Sequence, residues 1–140
     1  MRLREYFENA EGLGVLATAD SSGNVDAAIY SRPHVVDDET VAFIMAERQT
    51  HENLQSNPHA AYLFKENGKG FFGTRLFLTK IREEKDSDQI PSLLRRKGHR
   101  IERELGDSAR YLVYFRVDRV VPLVGSGKCP ITQFARAAGA

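Results

Sequence analysis

At 140 residues, 41% hydrophobic and 28% charged, the chain has the size and balance of one folded domain with its own core, which excludes a disordered or fibrous protein. Twenty lysines and arginines against nineteen aspartates and glutamates leave a net charge of +1, so no global field draws the chain to nucleic acid or acidic membranes. The single cysteine, Cys129, excludes an internal disulfide and a thiolate zinc cluster and suits a reducing compartment. The first residues lack a signal-peptide stretch and no segment approaches the roughly 20 apolar residues of a membrane span, so a cytoplasmic address is expected.

Residues 3–10 put Leu3, Tyr6, Phe7 and Ala10 on one helical face, which predicts a short opening helix. An apolar strand over residues 12–19 stops at Asp20-Ser21-Ser22-Gly23-Asn24, a stretch with turn chemistry, and a second strand follows over residues 25–36. Pro33 has no N–H for a ladder and interrupts that strand, marking an edge, a bulge or a ligand-facing position. After the turn Asp37-Asp38-Glu39 a third strand runs over residues 40–46, and the three read as a meander.

Residues 49–56 are good helix formers ended by Asn57-Pro58, which predicts a two-turn helix. A fourth strand over residues 59–64 and a loop at Asn67-Gly68-Lys69-Gly70 lead into a fifth strand over residues 74–81. The charges of Arg82-Glu83-Glu84-Lys85-Asp86 then suggest an end that leaves the core. Ile90, Leu93, Leu94, Ile101 and Leu105 share one side of a 3.6-residue period. They predict a second helix over about residues 88–105, with Asp86, Ser87 or Asp88 as cap, Pro91 in the first turn and a break at Gly98. A sixth strand spans residues 111–124 with a bend at Asp118-Arg119, and the small, polar residues from Gly125 onward are expected to be mobile. Six short-turned strands with two further helices indicate a mainly β (α+β) antiparallel barrel with peripheral helices over residues 1–125, followed by a C-terminal tail over residues 126–140.

No Gly-x-Ser-x-Gly elbow, phosphate loop or His-Glu-x-x-His helix is present. The informative stretch runs through Gly14-Val15-Leu16-Ala17-Thr18, Ser31-Arg32-Pro33-His34, Phe43-Ile44-Met45, and the run from Arg48-Gln49-Thr50-His51 to Asn57-Pro58. In order and spacing these segments resemble the pyridoxamine 5′-phosphate oxidase-like FMN-binding split-barrel family. The resemblance implies a six-stranded antiparallel split barrel, a homodimer with FMN at the subunit interface, and an oxidoreductase acting on a small-molecule electron donor or acceptor. It places the flavin ring along strands two and three and the phosphate near the start of the short helix. A helix start offers unpaired N–H groups to a phosphate, Arg48 a charged contact, and Gln49, Thr50 and Asn53 polar groups within one turn. By the same resemblance Ser31, Arg32, Pro33 and His34 meet the flavin, Ile44 and Met45 line the ring mostly through backbone, and Arg75 on strand five matches a position that reaches FMN in some members.

The chain departs from the family where many members carry Ser and Lys for the phosphate and this chain has Arg48 and Thr50. It has no Trp and so lacks the C-terminal Arg/Trp segment of the oxidase itself, which argues against pyridoxamine phosphate as substrate. The same fold admits a haem-binding or haem-degrading protein and a non-catalytic flavin-binding module. His34, His51, His59 and His99 show no metal-ligand spacing on a common predicted face. The basic run Arg95-Arg96-Lys97-Gly98-His99-Arg100 reads as a solvated helix face and Cys129 as a bystander.

Overall fold

The structure, a computed structural model, describes residues 1–97 and 110–134. In chain order its elements are α1 (Leu3–Asn9), β1 (Gly12–Ala19), β2 (Val25–Ile29), β3 (His34–Asp37), β4 (Thr40–Ala46), α2 (Gln49–Ser56), β5 (His59–Glu66), β6 (Gly73–Lys85), α3 (Ile90–Lys97) and β7 (Arg110–Pro122). The described strands make one antiparallel sheet in the order β2-β1-β5-β6-β7-β4-β3.

Seven strands replace the six expected, because the stretch 25–36 is two strands at opposite ends of the sheet. β2 pairs with β1 and β3 pairs with β4, so the expected three-strand meander does not form. The physical reason lies at Pro33: the Tyr30 N–H still bonds Gly14 O at 3.0 Å, Pro33 has no N–H to give, and the chain crosses to the far edge before His34 pairs with Ala42.

The sheet curls around its inner face. The rings of Phe43 on β4 and Tyr62 on β5 approach to 5.0 Å between centroids although β6 and β7 lie between their strands, and the Tyr62 hydroxyl donates to Tyr30 O at 3.1 Å. No ladder joins β2 to β3 among the described residues, so the barrel is not closed by hydrogen bonds. Leu16, Met45, Tyr62, Phe64, Leu76, Leu78, Val113 and Phe115 fill the interior, each contributing roughly 1.5–3 kcal/mol of burial at full enclosure. α1 closes one end by inserting Leu3, Tyr6 and Phe7 into this core, with Phe7 edge-on to Phe64 at 5.6 Å.

The charged end of β6 stays in the sheet. Arg82 to Lys85 pair with Tyr114 to Tyr111 of β7, whose thirteen residues supply partners along the whole length. The bend expected at Asp118-Arg119 is a bulge: Phe77 faces Arg119 and Leu78 faces Val117, which leaves Asp118 unopposed. α3 covers the outer face of β4 and β7 by packing Ile90 and Leu94 on Ala42, Ala46, Leu112 and Tyr114. The continuation of that helix expected past Lys97, with Gly98, His99, Ile101 and Leu105, lies outside the described residues. The tail is not loose as far as it is described. Ile131 is buried in the main core, Phe134 packs against it, and the Met1 ammonium donates to Pro130 O and Thr132 Oγ1, so chain start and tail hold one another.

Candidate functional site

β4 ends where Glu47 and Arg48 turn the chain into α2. Arg48 is the N-cap in an extended conformation (φ −134°, ψ −169°), and no side chain caps the first turn. The first bond of the helix runs from Glu52 N to Arg48 O at 3.0 Å, so the preceding N–H groups of Gln49, Thr50 and His51 point out of the helix start. Arg48 and Gln49 are exposed while Thr50 and Asn53 face inward, onto the β1/β2 hairpin. Asn53 Nδ2 donates to Thr18 Oγ1 at 3.1 Å, Asn53 Oδ1 accepts from Gln49 Nε2 at 2.7 Å, and Thr50 Oγ1 lies 3.5 Å from Asp26 Oδ2. Thr18 and Asp26 are themselves register partners, so the hairpin presents one polar pair to the inner side of α2.

Tyr30 stands at the same place. Burial raises its phenol above the ordinary tyrosine range, opposed by a hydrogen bond from Thr50 and the charge of Arg48. Ser31, Arg32, His34 and Ile44 then meet in a narrow cleft with Tyr30, Phe43 and Leu94, where Leu94 of α3 stands over the β4 strand. Pro33 is buried beside them, and Arg32 donates to Ala10 O at 2.6 Å. Met45 points into the sealed core, so only its backbone faces outward. Arg75 is not part of this cluster within one chain. It stands on the outward face of β6 opposite Leu63 and Val121, its Nε donating to Pro122 O at 3.1 Å.

Several residues that the sequence did not single out complete the site. Asp26 and Thr18 belong to an unremarkable hairpin, and only the fold brings them under α2. His51, one turn into that helix, is buried, stacks on Tyr111 at 3.8 Å between ring centroids and bonds Glu83 Oε2 at 2.9 Å. Glu83 also accepts from Gln55 at 2.9 Å and from Lys80. Burial alone would raise the Glu83 carboxyl, but hydrogen bonds from Gln55, Lys80 and His51 outweigh it and hold the carboxyl down near 2. This cluster ties the outer side of α2 to β6, and a groove of about 490 Å³ runs along it past Glu47, Arg48 and Gln49.

No protein-family model matches the chain, and no curated protein matches it in sequence. Solved structures do match. An FMN-binding protein from Syntrophomonas wolfei subsp. wolfei aligns with a TM-score of 0.70 at 16% identity, over 88% of this chain and 84% of its own. A candidate pyridoxamine 5′-phosphate oxidase from Lactobacillus delbrueckii aligns with a TM-score of 0.56 at 18% identity, over 81% and 85% of the two chains. The fold is that of the pyridoxamine 5′-phosphate oxidase-like split barrel. HutZ, the haem storage protein from Vibrio cholerae, shares it with a TM-score of 0.59 at 18% identity, over 87% and 95% of the chains. The split barrel therefore serves proteins with different ligands, and the function must be argued from the residues of this chain. Among the described residues no helix is long and apolar enough to cross a membrane.

Proposed function

We propose that the chain is an FMN-binding oxidoreductase that works as a homodimer with flavin at the subunit interface. The observation that carries this reading is the start of α2: an uncapped helical turn with Arg48 at its N-cap stands beside Tyr30, which also lines the cleft of Ser31, Arg32, His34 and Ile44. Outward N–H groups, a positive helix end and a guanidinium suit a phosphate ester dianion. Asp26 works against an anion at this place and Arg48 works for it. Ser31, Arg32, His34 and Ile44 would meet the flat ring, whose electron chemistry the flavin supplies while the protein binds and orients it. The lack of Trp still argues against pyridoxamine phosphate as the substrate.

The deciding measurement is the absorbance spectrum of the protein as purified, followed by titration with FMN. Flavin bands and saturable FMN binding support the proposal; a Soret band with no FMN binding overturns it in favour of haem. Reduction of the bound flavin by NADH or NADPH and its reoxidation, faster than with free FMN, separates an enzyme from a flavin-holding module.

A further inference from the structure

His51 is the third residue of α2, and its backbone N–H is one of the three that face outward at the helix start. Its side chain leaves that turn to stack on β7: the imidazole is 8% exposed, and its centroid lies 3.8 Å from that of the Tyr111 ring. The same ring lines the groove that runs past Glu47, Arg48 and Gln49. One residue thus belongs both to the anion-facing turn and to the anchor behind it.

The hydrogen bonds fix where the ring carries its proton. Nε2 lies 2.9 Å from Glu83 Oε2, and a carboxylate only accepts, so Nε2 is the donor. Gln55 Nε2 lies 3.1 Å from the same nitrogen but gives its two N–H groups to His51 O at 3.0 Å and Glu83 Oε1 at 2.9 Å. Nδ1 has no hydrogen-bond partner among the described residues, which makes it the free lone pair of the neutral ring and the seat of a second proton.

The charged groups around the ring balance. β6 brings Glu83, Lys80 and Lys85, the last opposite Tyr111 in register, and the helix start brings Glu47, Arg48 and Glu52. β7 contributes the Tyr111 phenol and β4 the uncharged Met45 of the same row, while Asp26 stands on the inner side of α2 beside Thr50. Three acids and three bases therefore surround the neutral imidazole, and a proton on Nδ1 adds one positive charge behind the outward N–H groups. The Glu83 carboxyl, held near 2, stays ionised throughout the range in which imidazoles ordinarily titrate.

We infer that His51 is a positioning residue for the anion at the start of α2: clamped between Tyr111 and Glu83 it fixes the first turn, and a proton taken up at Nδ1 tightens the hold on a phosphate. The inference rests on the FMN reading, which supplies that phosphate. Protonation of the ring and binding of the phosphate then favour one another by the same factor.

The test is the binding of FMN and of riboflavin to wild type and His51→Gln, followed by flavin fluorescence quenching between pH 8 and pH 6. Gln keeps an N–H for Glu83 but takes up no proton. As the pH falls, the FMN affinity of the wild type relative to the variant is expected to rise roughly three- to tenfold. Comparing the two proteins cancels the titration of the FMN phosphate itself, and the corresponding riboflavin ratio should not move. A second measurement needs no variant: in the NMR spectrum of the wild type, the ring Hε1 of His51 should titrate at higher pH with FMN bound than without it, and riboflavin should leave it in place. An FMN ratio that is flat with pH, a riboflavin ratio that rises equally, or a His51 resonance indifferent to FMN overturns the inference while FMN still binds, so the flavin reading survives. A wild type that binds no FMN at any of these pH values sinks that reading and the inference with it.

Discussion

Arg48 is the residue on which the phosphate reading turns. Its replacement by Ala removes a charge-assisted contact of roughly 1.5–3 kcal/mol, which at about 1.4 kcal/mol per decade weakens FMN binding on the order of 10- to 100-fold. Riboflavin, lacking the phosphate, should bind wild type and variant alike, whereas general damage to the barrel would weaken both ligands. Equal FMN affinity in the two proteins would mean that the phosphate sits elsewhere. Thr50→Val should act in the same direction but more weakly, since a neutral hydroxyl contributes about 0.5–1.5 kcal/mol. Glu83 gives a second residue-scale test, of the anchor behind α2. Its carboxyl is held near 2 in the folded chain, against an ordinary value of 4.5. The stability it contributes is therefore present above about pH 4.5 and is lost as the pH falls toward 2. In urea unfolding, the gap between wild type and Glu83→Gln should be widest near neutral pH and close between about pH 4.5 and 2. A gap that does not change with pH would show that the cluster does not carry this stability. The helix start at Arg48 was readable from the chain because a helix start after a strand end has a local signature. The partners His51 and Glu83 were not, since 32 positions separate them and only the curl of β6 brings them to 2.9 Å.

At the scale of elements, local pattern sufficed wherever one face is buried. α1, β1, β4 and α2 stand where their apolar spacing and turn residues put them, because period and punctuation are properties of neighbouring residues. The pairing of β2 and β3 was hidden for the opposite reason: which strand lies beside which depends on contacts distant in sequence, and Pro33 signals a break without saying where the chain goes next. β6 was read too short because its charges looked solvent-bound, although Glu83 and Glu84 find partners in Lys80 and the Tyr114 hydroxyl. The β1/β5 contact offers a test of the curl. A Cβ at Gly14 would lie 1.9 Å from the Tyr62 hydroxyl and 2.5 Å from Tyr30 O, so the side chain that crosses to β2 needs this glycine. Gly14→Ala should lower unfolding stability by roughly 1–3 kcal/mol through overpacking, read as a lower urea midpoint with an unchanged slope. An unchanged midpoint would mean that the barrel wall is less tightly closed at this row than the structure has it.

At the scale of the molecule, one face of the sheet lacks a cover among the described residues. Val25 and Ile29 on β2 are 83% and 72% exposed, and Leu13, Leu63 and Phe77 continue the apolar surface across β1, β5 and β6. The alternation that buries Leu16, Tyr62 and Leu76 forces their neighbours outward, so these exposed side chains lie on one sheet face. Exposed apolar surface of this extent marks an interaction site more often than a solvent face. The homodimer proposed above would seat a second copy on this face, where Arg75 stands, and its twofold symmetry would offer Arg75 to a flavin bound by the other subunit. Sedimentation equilibrium at micromolar concentration should therefore give a dimer for the wild type and a monomer for the double variant Ile29→Asp, Leu63→Asp, since a buried unpaired carboxylate on each side of an isologous interface is counted twice. The monomer should lose FMN affinity along with its partner, whereas Arg75→Ala should weaken FMN binding while remaining dimeric. A wild type that sediments as a monomer with FMN still bound would sink the interface and place the whole flavin site within a single chain.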